Sequence, residues 1–541
     1  MTRDRSAASP AADWWRGAVI YQIYPRSFAD SDGDGVGDLK GILSKLDYVA
    51  SLGVDGIWLS PFFASPMKDF GYDVSDYRAV DPLFGTLADF DAIVARAHEL
   101  GLKVIIDQVW SHTSDEHPWF VESAASRDNP KADWYVWADA KADGAPPNNW
   151  QASFGGPSWT WNARRRQYYL HNFLPEQPDL NYWNPDVRDA ILDAGRFWLD
   201  RGVDGFRLDV INFIFHDKSL RDNPGRPHAA PPALPTRFQR HVHDRSRLEA
   251  LAFLGRLRSL LDSYGAMSVG EVVDDPPLPR QKEYVAGANR LHTAYGFYLL
   301  TASAATPELF AGALEAWTAA DGWPSWSLGN HDVARFATRL ARSGDPAQAR
   351  AILAALMCLR GAIFLYQGDE LGLPQADVPF DRLRDPFDIA AWPGGAGRDG
   401  ARTPMPWASD GSAAGFSTAA DTWLPIDPAH RALAADIQEA DPGSMLHFTR
   451  RLIALRRAHP ALRLGDATVL PAPPGVLAFE RRLPGETLLC VFELTGRAAD
   501  FHGPADAPVE AQFGFDDEIV HGEVRLPPFG GVVFSLDPAG I

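Results

Sequence analysis

The stretch GFRLDV, residues 205–210, is a short and mostly apolar run in which Arg207 and Asp209 occupy alternate positions. Strands that are apolar on both faces are typical of a parallel sheet covered by helices. Amphipathic helical patterns lie between several of eight such runs, which are AVIYQIYP, GIWLSP, KVIIDQV, GFRLDV, MSVGEV, LHTAYGFY, WSLGNHD and AIFLYQGDE. A strand followed by a helix, repeated eight times, predicts an α/β fold, the closed (β/α)8 barrel.

The chain of 541 residues is too long for a single core, so further units are expected around the barrel. A stretch rich in Trp, Asn, Pro and Gly contains the hairpin pattern SWTWNARRRQYYLHNF and predicts a subdomain inserted after the third strand. Short alternating runs such as GVLAFERRL and TLLCVFEL predict a carboxy-terminal antiparallel β domain. The expected division is 1–112 for the first part of the barrel, 113–177 for the inserted subdomain, 178–464 for the second part of the barrel with long loops at about 211–248 and 371–440, and 465–541 for the β domain.

The composition excludes several kinds of partner. A formal net charge of −19 would repel nucleic acids and anionic membrane surfaces. No apolar run reaches the roughly 18 residues of a membrane span, and the amino-terminal MTRDRSAASPAAD lacks the apolar core of a signal peptide. Only Cys358 and Cys490 are present, which argues against a disulfide scaffold or a thiolate metal site. We therefore expect a cytoplasmic enzyme, monomeric or homodimeric, with a small-molecule substrate.

An acidic loop, DSDGDGVGD at residues 30–38, places a carboxylate at nearly every second position. Carboxylates this close repel one another unless a cation is shared between them. The spacing is that of the first half of a calcium loop, but Gly41 stands where an EF-hand carries its bidentate Glu. We expect a structural Ca²⁺ or Mg²⁺ ion, and the alternative is a solvated acidic turn. The expected ligands are Asp30, Asp32, Asp34, the carbonyl of Val36, and Asp38.

Three carboxyl groups lie at the ends of three predicted strands: Asp209 ends GFRLD, Glu271 ends VGE, and Asp332 ends GNHD. The carboxyl ends of all strands share one face of a barrel, so these side chains are expected to converge on one pocket. Arg207 lies two positions before Asp209 and faces the same side of the strand, so we expect it to keep that carboxylate ionised. One acid at a strand end is more often a helix cap or a surface charge, but three together favour a site.

Such carboxyl groups suit the cleavage of a glycosidic bond, which needs an acid for the leaving oxygen and a nucleophile for the anomeric carbon. A third, ionised carboxylate can stabilise the positive charge of the transition state. The 18 Trp, 14 Tyr and 30 Phe leave aromatic side chains to stack on the apolar faces of sugar rings. Neither a GxxxxGK[ST] phosphate loop nor a GxGxxG dinucleotide fingerprint is present, so no organic cofactor is expected.

Several motifs carry a resemblance to a known family. DQVWSH, GFRLDV, VGEV and SLGNHD resemble the four recurring motifs of glycoside hydrolase family 13, the α-amylase family. QPDLN, GYDVSDY, QGDELG and ARTPMPW resemble further motifs of its oligo-1,6-glucosidase and α-glucosidase branch, so the match runs from about Asp13 to Trp407. The resemblance implies an exo-acting, retaining α-glucosidase that releases glucose from short α-glucosides of the maltose, isomaltose or sucrose type.

The same resemblance implies roles for single residues. Asp209 would be the nucleophile, Glu271 the general acid and base, and Asp332 the stabiliser of the transition state. The glucose ring would lie in a subsite formed by Asp73, His112, Arg207, His331 and Arg402, with Phe154 and Phe173 as aromatic walls. The acidic loop at 30–38 is similar to the calcium or magnesium loop of the branch, where the ion is structural.

Some features leave alternatives open. Pro406 and Ala408 replace the Gln and Asp of the usual RTPMQWD, which puts a contact near Arg402 in doubt. Val210 resembles the valine of enzymes that accept α-1,6 linkages, although valine is also simply a good strand residue. A glucosyltransferase or a sucrose isomerase is the alternative function, because water or a sugar hydroxyl can attack the same covalent intermediate. A non-catalytic carbohydrate-binding or transporter-associated relative is the remote alternative.

Overall fold

The computed structural model describes residues 13–227, 234–317, 322–394, 397–504, 507–515 and 523–536. The strands are β1 Val19–Ile23, β2 Gly56–Leu59, β3 Phe63–Ala64, β4 Asp76–Val80, β5 Lys103–Gln108, β6 Trp137–Ala138, β7 Trp159–Asn162, β8 Gln167–Leu170, β9 Gly205–Leu208, β10 Met267–Glu271, β11 Thr293–Tyr295, β12 Ser325–Ser327, β13 Ala362–Tyr366, β14 Asp466–Leu470, β15 Val476–Leu483, β16 Glu486–Glu493, β17 Ala499–His502, β18 Val509–Phe513, β19 Glu523–Leu526 and β20 Gly531–Leu536.

The helices are α1 Leu39–Ser51, α2 Leu87–Glu99, α3 Pro118–Ala125, α4 Pro185–Leu199, α5 Ala250–Tyr264, α6 Pro277–Val285, α7 Phe297–Leu300, α8 Pro307–Ala316, α9 Phe336–Arg339, α10 Pro346–Cys358, α11 Pro386–Ala390, α12 Arg398–Ala401, α13 Pro428–Arg431, α14 Ala435–Ala440, α15 Met445–Ala458 and α16 Pro460–Leu464. Short 3₁₀ turns lie at Pro25–Ser27, Ile211–Phe213, Pro235–Phe238 and Phe380–Arg382.

Eight strands form one parallel sheet in the order β11, β10, β9, β5, β2, β1, β13, β12. The two outer strands also meet, because Ala294 of β11 pairs in parallel with Pro324, just before β12. The sheet therefore closes into a barrel, and its strands are the eight runs predicted from the sequence. Every residue of these strands is buried except the half-buried Lys103, as expected where helices cover the outer face.

The first two barrel helices illustrate how local sequence sets the helices between strands. The side chain of Asp38 caps α1 by accepting the N–H of Gly41, and Thr86 forms a capping box with Asp89 at the start of α2. Helix α1 buries an apolar stripe with helical spacing, which is Leu39, Ile42, Leu46 and Val49. Burial of each such side chain contributes about 1.5–3 kcal/mol, so the stripe fixes the helix against the barrel.

Four smaller sheets lie outside the barrel among the described residues, and one of them is the antiparallel pair of β3 and β4. In the chain segment that connects β5 to β9, strands β6, β8 and β7 form an antiparallel sheet. Strands β7 and β8 are the predicted hairpin. After α16, strands β14, β15, β16, β20 and β18 form a five-stranded sheet that is antiparallel throughout, and β17 pairs with β19. Strand β14 begins at Asp466, next to the predicted boundary at 465.

The two long loops follow β9 and β13, and the second contains α11, α12, α13 and α14. Residues 228–233 of the Pro-rich first loop, and residues 1–12 at the amino terminus, lie outside the described residues. Within the described ranges, no helix is long and apolar enough to cross a membrane. Cys358 and Cys490 are both buried and free.

Candidate active site

A cavity of about 390 Å³ is lined by the three carboxyl groups that the sequence predicts to converge, Asp209, Glu271 and Asp332. Asp209 directly follows β9, and Glu271 is the last residue of β10. Asp332 lies in a loop, five positions (332 minus 327) beyond the last residue of β12, rather than at the end of the strand. The three side chains nevertheless meet because the carboxyl ends of parallel barrel strands share one face.

One buried guanidinium joins the carboxyl groups of three neighbouring strands. From Nη1, Arg207 donates to Asp209 Oδ1 at 2.6 Å and to Asp107 Oδ1 at 2.8 Å. From Nη2, it donates to Glu271 Oε2 at 2.7 Å and to the hydroxyl of Tyr295 at 2.8 Å. The side chain of Arg207 is fully buried and does not line the cavity. Its role in the structure is therefore to position Asp209 and Glu271 from behind.

Asp209 and Glu271 each keep one oxygen without a hydrogen bond to any of the described residues. Asp209 is held through Oδ1 alone, and Glu271 is held through Oε2, which also accepts the backbone N–H of Val210 at 3.2 Å. Because both side chains line the cavity, Oδ2 of Asp209 and Oε1 of Glu271 are available to a ligand.

Burial raises the pKa of Glu271 to about 8 and the pKa of Asp209 to about 7, and the charge of Arg207 opposes both shifts. Arg207 therefore favours the ionised form of Asp209, as expected, but does not offset the effect of burial on its pKa. A single guanidinium is shared among three buried carboxyl groups, so burial outweighs its attraction for any one of them.

Asp332 is in a different electrostatic environment. Its Oδ1 lies 3.0 Å from Arg402 Nη2 and 3.2 Å from Arg398 Nε, and its Oδ2 lies 3.2 Å from His331 Nε2. Burial alone would raise the pKa of Asp332, but His331, Arg398 and Arg402 outweigh it and lower the pKa. Burial lowers the pKa of His331 well below its usual range, so that imidazole is neutral. We therefore assign the lowered pKa of Asp332 to the two guanidiniums, Arg398 and Arg402.

A carboxylate of the loop after β13 holds these two guanidiniums together. Asp385 Oδ1 lies 3.3 Å from Arg402 Nη1 and 3.4 Å from Arg398 Nη1, and the side chain of Asp385 is fully buried. Its Oδ2 accepts the N–H of Asp388 at 2.9 Å, which fixes it at the start of α11. Sequence reasoning missed both Asp385 and Arg398, although Arg398 lies four positions before the Arg402 of the ARTPMPW motif.

The predicted sugar-binding residues divide into two groups. His112, Phe154 and Phe173 line the cavity, whereas Asp73, Arg207, His331 and Arg402 do not. Asp73 is fully buried and accepts the Ser65 hydroxyl at 2.9 Å and the backbone N–H groups of Lys68 and Asp69 at 2.8 and 3.0 Å. These bonds shape the loop, so the structure places Asp73 outside the position expected of it.

Asp69, four positions before Asp73, lines the cavity in its place. Its Oδ2 accepts Gln177 Nε2 at 3.0 Å, and its Oδ1 lies 3.7 Å from Arg398 Nη2 with no hydrogen-bond partner in the described part of the chain. Burial raises the pKa of Asp69 to about 7. A buried carboxyl oxygen without a partner beside a cavity favours a role in binding a polar ligand.

The cavity has a polar end, which is lined by Asp69, Tyr72, His112 and Arg398. The rings of His112 and Tyr72 are both neutral there. Burial lowers the pKa of His112 to about 4, and its Nε2 lies 3.0 Å from the carbonyl of Tyr72, to which it can donate a hydrogen bond. The ring of Tyr72 stacks on that of His331 at 5.3 Å, and its hydroxyl lies 2.5 Å from His331 Nε2. Phe173 contacts His112 with ring centroids 5.4 Å apart and contacts Phe154 at the same distance.

Val210 has an unusual backbone, with φ 33° and ψ 47° in the left-handed region. This conformation is strained for a β-branched residue, and strain of this kind concentrates at functional sites. It directs the N–H of Val210 toward Glu271, while Val210 itself lines the cavity. The effect of Val210 on linkage preference stays a prediction.

In the acidic loop, carboxylate oxygens of Asp30, Asp32 and Asp38 lie within 4.8 Å of one another. Asp34 is not part of this group, and its Oδ1 accepts the N–H of Val36 at 2.7 Å. Burial raises the pKa of Asp34 and repulsion from the neighbouring aspartates adds to the rise, whereas hydrogen bonds from Ser417 and from loop N–H groups outweigh burial and lower the pKa of Asp30. A cation among the three clustered oxygens would relieve that repulsion.

Comparison with known proteins agrees with this geometry. Residues 22–465 match the family model of the α-amylase catalytic domain. A probable α-glucosidase of Rhizobium meliloti (strain 1021) is 50% identical over 99% of this chain and 100% of its own length. An oligo-1,6-glucosidase of Halalkalibacterium halodurans is 36% identical over 97% of this chain and 99% of its own length. A crystal structure of an α-glucosyl transfer enzyme is 51% identical, with a TM-score of 0.92 over 96% of this chain and 99% of that one.

The two raised pKa values predict a bell-shaped pH profile. If Asp209 is the nucleophile and Glu271 the general acid, kcat/KM for glycoside cleavage is expected to rise as the pH increases through about 7, where Asp209 ionises, and to fall above about 8, where Glu271 loses its proton. Since the two groups interact, the limbs belong to the pair. Initial rates at constant ionic strength test this, with the melting temperature (Tm) measured at each pH as the control. A profile that is flat through both values would contradict the assignment.

Proposed function

Because the chain belongs to the α-amylase family and is a glycoside hydrolase, we propose that it is an exo-acting, retaining α-glucosidase that releases glucose from the non-reducing end of short α-glucosides. The observation that carries the proposal is the pair of carboxyl groups held on the two terminal nitrogens of Arg207. A close carboxyl pair in which one member is protonated at neutral pH is the arrangement that retaining glycosidases use.

In the first step, Oδ2 of Asp209 attacks the anomeric carbon while Glu271 gives its proton to the leaving oxygen. The raised pKa of Glu271 keeps that proton in place near neutral pH, and the free Oε1 is the oxygen that can deliver it. Asp332 stays ionised beside Arg398 and Arg402 and stabilises the positive charge that develops on the sugar ring.

In the second step, Glu271 takes a proton from water, which attacks the glucosyl-enzyme and returns Asp209 to the carboxylate. Two inversions at the anomeric carbon give α-glucose.

The glucose subsite is the polar end of the cavity, formed by Asp69, Tyr72, His112 and Arg398. We propose Asp69 and Arg398, in place of Asp73 and Arg402, as contacts of the glucose hydroxyls. We propose that the sugar chain ends against these side chains, so that starch is expected to be a poor substrate.

A glucosyltransferase remains the alternative, and one observation favours it. The structural relative with 51% identity is described as an α-glucosyl transfer enzyme. Water and a sugar hydroxyl compete for the same intermediate, so the time course of products from maltose and sucrose distinguishes hydrolysis from transfer or isomerisation.

A structural Ca²⁺ or Mg²⁺ ion in the acidic loop is part of the proposal. Both ions prefer oxygen ligands, and the clustered carboxylates of Asp30, Asp32 and Asp38 supply them. Asp32 is the least engaged of the three, because it accepts one loop N–H, through Oδ1, whereas both oxygens of Asp30 and of Asp38 accept hydrogen bonds from the loop. The ion would bind there as a link within the loop, at a distance from the carboxyl groups that react.

The cytoplasmic location, the oligomeric state and the domain boundaries at 112, 177 and 465 stay predictions from the sequence.

The catalytic roles can be tested by substitution. We expect Asp209→Asn to lower kcat by at least about a thousandfold with little change in Tm, because the covalent step is lost. Glu271→Gln should retain far more activity on substrates with good leaving groups, which need little acid assistance. NMR should find α-glucose as the first product of the wild type. Activity of Asp209→Asn within tenfold of wild type would overturn the assignment.

A matched pair of variants tests whether Asp69, rather than Asp73, contacts the sugar. We expect Asp69→Asn to lower kcat/KM by about 10- to 100-fold, since a hydrogen bond to a charged group is worth about 1.5–3 kcal/mol. Asp73→Asn should mainly lower Tm, because it removes acceptors for three loop donors. A larger loss of kcat/KM in Asp73→Asn, at a temperature where both variants are folded, would restore Asp73 as the contact.

The ion is tested through stability. We expect a chelator to lower Tm and added Ca²⁺ or Mg²⁺ to restore it, because an ion that binds only the folded state stabilises it. Asp32→Asn should abolish this response. Asp143→Asn is the matched control, since Asp143 is also exposed and also accepts the backbone N–H two positions later. A preparation that has lost its ion by metal analysis and still shows no change in Tm would favour the solvated acidic turn.

A further inference from the structure

The cavity changes character beyond its polar end. Three valines line it, and each stands within two positions of a catalytic carboxyl group: Val210 follows Asp209, Val333 follows Asp332, and Val273 lies two residues after Glu271. The aglycone, which is the group that leaves from the sugar, must lie on the far side of these carboxyl groups from the glucose subsite. Side chains beside the carboxyl groups and away from the polar end therefore form its surroundings.

Aromatic side chains extend this apolar lining. Phe297, at the start of α7, lines the cavity and is only partly buried, so part of its ring is accessible at the rim. Phe213 lies on the short turn after Asp209, and its ring stacks on that of Phe173 with centroids 5.7 Å apart and an angle of 25° between planes. Phe387 of α11 contacts Phe154 from the opposite loop at 5.6 Å. Phe173 and Phe154 also border the polar end, through His112 and Arg398. Phe213 and Phe387 therefore widen the apolar lining around the carboxyl groups, and Val273 and Phe297, from the loops after β10 and β11, extend it away from the polar end.

Polar groups are few on this side. Apart from the catalytic carboxyl groups and the polar end, the described lining residues with polar side chains are Ser153, Arg237 and Thr301. A second glucose unit carries several hydroxyl groups, and each one that leaves water without a hydrogen-bond partner weakens binding. An alkyl chain has no such requirement and gains from leaving water. The lining therefore matches an apolar group better than a second sugar.

We propose that the subsite for the leaving group is specific for apolar aglycones, so that α-glucosides of medium-length alcohols are better substrates than disaccharides. The proposal rests on the proposed α-glucosidase function and adds the chemical class of the leaving group. It assigns Val273 and Phe297 as residues that contact the aglycone rather than the reacting glucose.

The test is a series of ethyl, butyl and hexyl α-D-glucopyranosides with maltose as the reference. The acidity of the leaving alcohol is nearly constant along the series, so a change in kcat/KM reports contact with the aglycone. Burial of a methylene is worth about 0.8 kcal/mol, which corresponds to roughly a fourfold rise in kcat/KM per added methylene until the cavity is filled. We expect hexyl α-glucoside to exceed maltose. A flat or falling series, with maltose cleaved well, would overturn the proposal, whereas failure to cleave any of these α-glucosides would refute the α-glucosidase function itself.

Variants of the lining residues test which side chains cause the dependence of kcat/KM on the length of the alkyl chain. Phe297→Ser should flatten the dependence on chain length, and the isosteric Val273→Thr should do the same while raising the activity on maltose relative to the hexyl glucoside. Phe380→Ser is the matched control, because Phe380 is 54% exposed and does not line the cavity, so the dependence should match that of the wild type. An unchanged dependence in both Phe297→Ser and Val273→Thr would show that the aglycone does not contact this lining.

Discussion

The fully buried guanidinium of Arg207 is the interaction on which the catalytic face depends. A charge taken out of water is strongly unfavourable unless partners surround it, and here they come from three adjacent strands. The register places Asp107 of β5 directly opposite Arg207 of β9, and Val269 of β10 opposite it on the other side. Glu271 lies two positions beyond Val269 on the same face. The parallel register of the barrel thus brings the proposed acid and nucleophile onto one cation.

The number of charges at this face explains which groups carry protons. Among the described residues, three guanidiniums meet six carboxyl groups: Arg207, Arg398 and Arg402 face Asp69, Asp107, Asp209, Glu271, Asp332 and Asp385. Six carboxylates, of which five are buried and Asp332 is partly buried, cannot all remain ionised around three cations. Burial raises the pKa of Asp69 to about 7 and that of Asp107 to about 6, as it does for the catalytic pair. The proton on Glu271 is therefore a property of the whole cluster, and a charge change at any member would move it.

Much of this arrangement is predictable from the sequence, and the exceptions have a common physical origin. Apolar runs identify buried parallel strands, and the carboxyl ends of these strands share one face of the barrel, so the convergence of Asp209 and Glu271 follows from the pattern. The choice between Asp69 and Asp73, or between Arg398 and Arg402, does not. In each pair the residues are four positions apart in a loop or a short helix, where no strand period fixes which side chain reaches the cavity. Only the tertiary contacts of the loops decide that.

The order of strands in the closed barrel accounts for how the long loop after β13 reaches the site at all. Because β13 is the neighbour of β1, the segment after β1 lies beside that loop. The carbonyl of Ser27 accepts the N–H of Met405 at 2.8 Å, and the hydroxyl of Ser27 donates to the carbonyl of Arg402. Further along, Asp30 of the acidic loop donates its N–H to the carbonyl of Phe416 at 2.9 Å. The segment from Ser27 to Asp30 thus connects the acidic loop to Arg402, the guanidinium beside Asp332. An ion that orders the acidic loop would therefore act on the charge at the site through the position of Arg402, rather than through direct contact with the sugar.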